Sequence, residues 1–315
     1  MKRRLLTIAA VAPVLAAPVL MTADEPAASA KTVAVAGTAP IRTAAISVTP
    51  TPRTTLPADA AELDLPQLDA SGSLAGDVEQ VDPTVATLRE HIALLETARD
   101  TLAGIDCYTA ELTKQERVDG ELKPAETTKL KLRHAPFSVY MKWTVGDRGR
   151  EVLYIDGEND NEMLVHPGGW KGRFLPTMSI DPAGSLAMSQ SRHSVAEAGL
   201  RNLVAKHLEH RHKDLTASGV TAATREIDFE GEPSIELSVS YADPAANAVY
   251  SRTVLILDAA SGLPVASRNY GWTALDLDGD DARLIERYEY RELASDAELC
   301  DADFDRTNRR YMLRR

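Results

Sequence analysis

Three histidines lie close together in the second half of this 315-residue chain, in the pattern His207-x-x-His210-x-His212. Residues three apart share a helix face, so His207 and His210 have the spacing of a metal-ligand pair. Arg211 and Lys213 beside them favour a plainer reading, a solvated helix end whose cations suit the dipole. A second cluster, "DLDGDDARLIER" (276–287), sets Asp276, Asp278 and Asp280 at alternate positions, like the start of a calcium loop. Its glycine is fourth instead of sixth and its twelfth residue is Arg287, so an acidic hairpin loop fits better. There is no G-x-S-x-G for a nucleophilic serine, and no P-loop or G-x-G-x-x-G for phosphates. Cys107 follows Asp106, a poor setting for a reactive thiolate. The many carboxylates read as a solvated face, since no acid pair stands out without geometry.

Binding is better represented than catalysis. In "RHAPFSVYMKW" (133–143), Phe137, Val139, Met141 and Trp143 alternate with Ser138, Tyr140 and Lys142. That period of two marks a half-buried strand, whose apolar face either fills a core or lines a cavity. "HPGGW" (166–170) adds two glycines that let the chain bend before Trp170, with Phe174 and Leu175 beyond. Such a loop either forms a lid over a hydrophobic cavity or tucks Trp170 into the core.

The elements that hold these residues follow from the pattern. Asp82-Pro83 is a helix start, and Val85, Leu88, Ile92, Leu95 and Leu102 give an apolar stripe from Thr84 to about Leu102, before Gly104. Alternating runs at 107–118, 127–134, 137–143 and "EVLYIDG" to "NEMLVH" make five strands joined by tight turns, an antiparallel meander. A long connection, 167–193, interrupts it. Ser194-Val-Ala-Glu197 fits a capping box that opens a second helix, with Leu200, Leu203, Val204 and Leu208 as its stripe. Strands at about 223–229, 234–241, 250–258, 264–272 and 283–292 complete the chain. Two or three helices and about ten strands give an α+β fold with one large curved antiparallel sheet.

The ends and the charge bound the setting. Lys2, Arg3 and Arg4 precede the apolar run Leu5 to Met21, and Ala28-Ser29-Ala30 offers a cleavage site before Lys31. Residues 1–30 therefore read as a signal peptide, the alternative being a retained anchor helix broken by Pro13 and Pro18. Residues 31–80 read as a disordered Ala/Thr/Pro-rich linker. The mature chain is expected to be periplasmic or secreted, with no membrane-spanning helix. A net charge of −12 argues against nucleic acid as a partner. Cys107 and Cys300 flank the strands, so a disulfide would tie the ends of the domain together; two separate buried thiols are the alternative.

"YTAELTKQERVDGEL", "LRHAPFSVYMKW", "GREVLYIDGENDNEMLVHPGG", "DPAGSLAMSQSRHSVAEAGLRNLV" and "DADFDRTNRRYM" together resemble a family of secreted bacterial proteins, domain-of-unknown-function family 1571, over about residues 84–313. That family is similar in fold to the lipoprotein-localisation factors LolA and LolB. The resemblance implies a LolA-like half-barrel over 81–315, an incomplete antiparallel barrel whose concave face is covered by helices. It implies a hydrophobic ligand, a lipid or lipoprotein acyl chain, held between sheet and helices. It implies no enzymatic activity, no cofactor and no established site residue. The cavity wall expected here is Leu130, Leu132, Phe137, Val139, Met141, Trp143 and Tyr154, with Trp170 and Phe174 from the loop. A membrane-associated partner would complete a carrier. The alternative is an envelope interaction module with a filled core, and an envelope hydrolase ranks last.

Overall fold

The computed structural model describes residues 82–170, 172, 174–273 and 282–313, all within one compact unit spanning 74–315. The expected signal peptide 1–30, the linker 31–80 and the acidic stretch 274–281 lie outside the described residues.

Helix α1 (Pro83–Ala103) starts where its capping signal puts it. The Asp82 carboxylate accepts the Thr84 N–H at 2.8 Å, and Pro83 occupies the first turn. Its stripe of Leu88, Ile92, Leu95 and Leu102 is buried, and so is His91. The strands are β1 (Cys107–Val118), β2 (Glu121–Leu122), β3 (Glu126–His134), β4 (Phe137–Val145), β5 (Glu151–Ile155), β6 (Met163–His166) and β7 (Met178–Ile180) in the first block. After the short α2 (Ser185–Met188) and the longer α3 (Leu200–Asp214) come β8 (Val220–Phe229), β9 (Glu232–Tyr241), β10 (Arg252–Asp258), β11 (Pro264–Tyr270) and β12 (Leu284–Ala294). They form one open antiparallel sheet of order β7-β6-β5-β4-β3-β1-β12-β11-β10-β9-β8, with β2 paired to β1 alone. The sheet is therefore of twelve strands, not ten, because the short β2 and β7 carry too little pattern to be legible. The first and last strands of the domain, β1 and β12, pair at its centre.

The second helix begins later than the capping box suggests. Ser194 does cap, accepting the Ala196 N–H at 3.3 Å, but over a single 3-10 turn, 195–197. Gly199, at φ +103°, then breaks the path before α3. A side chain there would meet Leu132 at 2.5 Å and the Tyr108 hydroxyl at 2.9 Å, so the close approach of helix to sheet requires glycine. Tyr108 instead accepts the Leu200 N–H at 3.0 Å. Arg201 reaches the carbonyls of Leu102 (3.0 Å) and Ile105 (2.8 Å), tying α3 to the open end of α1.

One face of the sheet packs under these helices. Leu132, Val139, Leu237, Leu255 and Leu257 meet Leu95, Leu102, Leu200, Val204 and Leu208 there. The opposite face of β4–β6 is also covered, which corrects the half-buried reading of β4. Tyr140, Leu153 and Leu164 pack against Phe304, Tyr311 and Leu313 of the C-terminal segment. Tyr311 stacks on Tyr140 with ring centroids 3.9 Å apart, Lys131 bonds Asp303 at 2.6 Å, and the Met312 N–H donates to Glu151 at 2.7 Å. The same segment explains the cysteines. Cys107 Sγ donates to the Ala297 carbonyl at 3.0 Å and Cys300 faces Asp303 at 3.4 Å, so they are separate free thiols and no disulfide joins them. Cys300 is exposed, unlike the buried thiol of the alternative reading.

Candidate functional site

Alternation sends every second side chain of a strand to the helix-covered face, and strand pairing aligns these into rows. Leu130, Met141, Val152, Val165 and Met178 are successive cross-strand partners on β3, β4, β5, β6 and β7. Glu116, Glu286, Asn269 and Thr253 are successive partners on β1, β12, β11 and β10. One cavity of about 550 Å³ is lined by both rows. That is the volume range of ligand-binding sites. Laid flat, β7 to β10 would extend roughly 38 Å at about 4.8 Å per strand step. The sheet must therefore curl for one cavity to touch both.

The apolar end is completed by Trp143, Met163, Ile180, Leu186, Val195 and Leu203. Trp143 keeps its indole N–H satisfied by Glu126 at 2.9 Å, and Arg150 lies 4.9 Å from the ring. Among the expected wall residues, Leu130, Met141 and Trp143 line the cavity. Leu132, Val139 and Phe137 lie instead in the packed region under α1 and α3, and Tyr154 sits beside Phe137 with ring centroids 6.2 Å apart. Trp170 and Phe174 are neither among the residues that line the cavity nor in the core. They are 71% and 77% exposed and touch each other edge to face. The bend before them is forced: a side chain at Gly168 would lie 2.3 Å from the Asp147 carbonyl.

The polar end was not legible as a site. Glu116 and Glu286 are buried, which corrects their reading as solvated acids. They stand directly opposite each other, an unfavourable like-charge pair unless neutralised. Eight hydrogen bonds do so. Glu286 accepts from His193 (2.9 Å), Arg192 Nε (3.1 Å), Tyr250 (2.9 Å) and Asn269 (2.7 Å). Glu116 accepts from Lys114 (3.2 Å), Ser191 (3.2 Å), the Arg192 N–H (3.2 Å) and Tyr288 (2.5 Å). Burial pushes the Glu286 pKa up, but the bonds from His193, Asn269 and Tyr250 outweigh it and bring it down to about 2. Burial likewise opposes ionisation of Glu116, and the Lys114 charge with the bonds from Tyr288 and Ser191 brings its pKa below the usual range. Both acids are thus ionised and hold residues 191–193 onto the sheet. Neither has a proton to offer as a general acid. The signal that marks them is an acid on the inward register of an alternating strand.

The three histidines do not form a solvated helix end. His207 is buried with Nε2 3.3 Å from Ser267, and its pKa is lowered to about 3 by burial, the nearby Arg211 and His210. His210 packs edge-on against Tyr250, and His212 is exposed. Arg211 is buried beside them. The reason is that α3 lies along the sheet instead of projecting from it. Among the described residues, no group of three or more His, Cys, Asp or Glu is placed to hold a metal ion. No described helix is long and apolar enough to cross a membrane.

A model of the family described as "Protein of unknown function (DUF1571)" matches residues 105–313, all of the described domain beyond α1. No curated protein matches the chain. The structure is similar to those of several solved proteins at low identity. A LolA superfamily protein from Nitrosomonas europaea is 11% identical, with TM-score 0.31, over 68% of this chain and 96% of that one. The lipoprotein LppX of Mycobacterium tuberculosis is 14% identical, with TM-score 0.36, over 65% and 95%. The MucA/MucB complex structure of Pseudomonas aeruginosa matches at 14% identity and TM-score 0.40, over 69% of this chain and 60% of the matched chain.

Proposed function

The chain belongs to the DUF1571 family of proteins of unknown function, and from that premise we propose that it is an exported, non-enzymatic protein that binds and carries an amphipathic lipid. The observation that supports this reading is the wall of the cavity. An apolar row across five strands runs into a polar row across four, along the wall of one cavity. An acyl chain suits the first. Each buried methylene gains about 0.8 kcal/mol, so ten of them supply roughly 8 kcal/mol before the costs of association. Met141, Met163 and Met178 give a flexible lining that adapts to a chain of no fixed shape. The polar row suits a headgroup.

The exposed Trp170 and Phe174, with Leu175 and Leu186 nearby in the chain, offer a surface to a membrane-associated partner that supplies or receives the lipid. The same exposed residues are what an interaction module would show, and that second reading needs a filled core in place of the cavity.

The test is native mass spectrometry of the exported protein recovered without detergent, followed by solvent extraction and lipid analysis. Co-purifying lipid, or saturable uptake of a fluorescent acyl probe, is the expected result. Protein that is empty and takes up no probe would overturn the reading.

A further inference from the structure

Four cationic side chains line the cavity among the described residues: Lys114, Arg150, Lys206 and Arg211. Three are matched by carboxylates that line it too. Lys114 pairs with Glu116 at 3.2 Å, Arg150 with Asp147 at 3.1 Å and Lys206 with Glu197 at 2.6 Å. Arg211 differs. Its acid partner, Asp214 at 3.1 Å, is not part of the cavity wall. Its other bonds, to Tyr241 (3.3 Å) and Thr253 (3.0 Å), leave from the same terminal nitrogen as the Asp214 contact. The Nε of Arg211 is buried with no hydrogen-bond partner among the described residues, although the side chain is only 3% exposed. Asp214 offsets the charge of this guanidinium, but the unused donor leaves hydrogen-bonding capacity that an anion on the cavity side can take up.

We propose that the ligand of this cavity carries an anionic headgroup, a carboxylate or phosphate, which binds the Arg211 guanidinium at the β10–α3 end while its chain lies along the Leu130–Met178 row. This rests on the lipid-binding reading and names its ligand class. A guanidinium offers donors in a planar fork that matches both anions. The neighbours permit it. His207 is held neutral and uses Nε2 on Ser267, Thr253 already bonds Arg211, and His210 lines the same end. The nearest wall carboxylate in register, Glu286, has both oxygens committed to four donors, so its charge is spoken for.

The experiment compares single-chain ligands that differ only at the head. Laurate, dodecyl phosphate, 1-dodecanol and dodecylamine are titrated into the full-length protein against a fluorescent acyl probe, with acetate and inorganic phosphate as headgroups without a chain. The expected order puts laurate and dodecyl phosphate at least tenfold tighter than dodecanol and dodecylamine. Arg211→Gln should collapse that ratio to below about threefold while dodecanol binding persists. Because this variant also loses the Asp214 pair, a second readout uses the wild-type protein: the side-chain Nε–H resonance of Arg211 should shift with laurate and not with dodecanol. Equal affinity for laurate and dodecanol, or tighter binding of dodecylamine, overturns the anionic headgroup and leaves the lipid reading standing. Acetate or inorganic phosphate binding as tightly as the chain-bearing anions overturns the headgroup assignment in favour of a free-anion site. If no dodecyl ligand binds, the lipid reading itself fails, and this inference with it.

Discussion

The cavity wall has two halves that solve the problem of an inward-facing strand differently. On β3–β7 the inward row is Leu130, Met141, Val152, Val165 and Met178, and it asks nothing of its neighbours but apolar contact. On β1, β12, β11 and β10 the row is Glu116, Glu286, Asn269 and Thr253, and every charge in it must be matched. The matching is done by Lys114 for Glu116 and by residues 191–193, which lie between α2 and α3 and bring Ser191, Arg192 and His193 onto the two acids. The difference teaches where the fold is permissive. The apolar half can be left partly unfilled, because open apolar space costs only lost contacts. The polar half must be closed by protein or by ligand, because an unpaired buried charge costs several kcal/mol.

The comparison can be broken by substitution. The largest effect should come where the sheet is filled by its own helices. Leu132 is fully buried, so Leu132→Ala should destabilise by about 2–5 kcal/mol. Met163→Ala, on the cavity wall, should cost less than about 1.5 kcal/mol, since that side chain already faces space. Equal costs in urea denaturation would mean that the two places are packed alike.

Acid should act on the polar half and not on the apolar row. Glu286 has its folded pKa lowered from 4.5 to about 2, so its stabilisation is fully present above pH 4.5 and is lost as pH falls toward 2. The shift corresponds to about 3 kcal/mol. His207, lowered from 6.5 to about 3, works in the same direction from a higher pH, because the unfolded chain takes up a proton first as pH drops below 6.5. Unfolding midpoints measured between pH 7 and pH 3 should therefore decline, and Glu286→Gln should be less stable at pH 7 with a flatter decline below pH 4.5. A variant that keeps the wild-type slope would show that Glu286 is not the group responsible.

Binding should fail first in the apolar half. Met141→Asp places a carboxylate in the middle of the Leu130–Met178 row and should weaken acyl-probe binding at least about a hundredfold, near 2.7 kcal/mol. Retained binding would move the chain elsewhere in the cavity. The smallest change belongs to the exposed loop. Trp170→Ala should shift stability by less than about 0.5 kcal/mol, since the ring is 71% exposed. A large loss would put that ring in the core after all.

Much of the architecture was legible because local rules govern it. The Asp82-Pro83 cap placed α1, alternation placed the longer strands, and the runs that resemble the family fall within the matched residues 105–313. The start of α3 was read six residues early. Ser194 carries a true capping signal, and only the contact of Gly199 with Leu132 and Tyr108 shows that the chain must break after one turn. Of the expected wall, Leu130, Met141 and Trp143 reach the cavity while Leu132, Val139 and Phe137 are taken up by helix packing. Alternation gives the face of the sheet on which a residue lies, but not what covers it.

By itself the sequence determined the period of each element, the turns between most of them and the apolar face of β4, since these depend on neighbours within a few residues. Tertiary structure alone decided that Tyr288 meets Glu116 across 172 residues of chain, that residues 191–193 bond two buried acids, and that Arg211 is left with a donor to spare. The physical reason is pairing. A strand's pattern says which side chains point inward, but only its partner's register says which of them stand side by side, and a charge is costly or useful according to that neighbour.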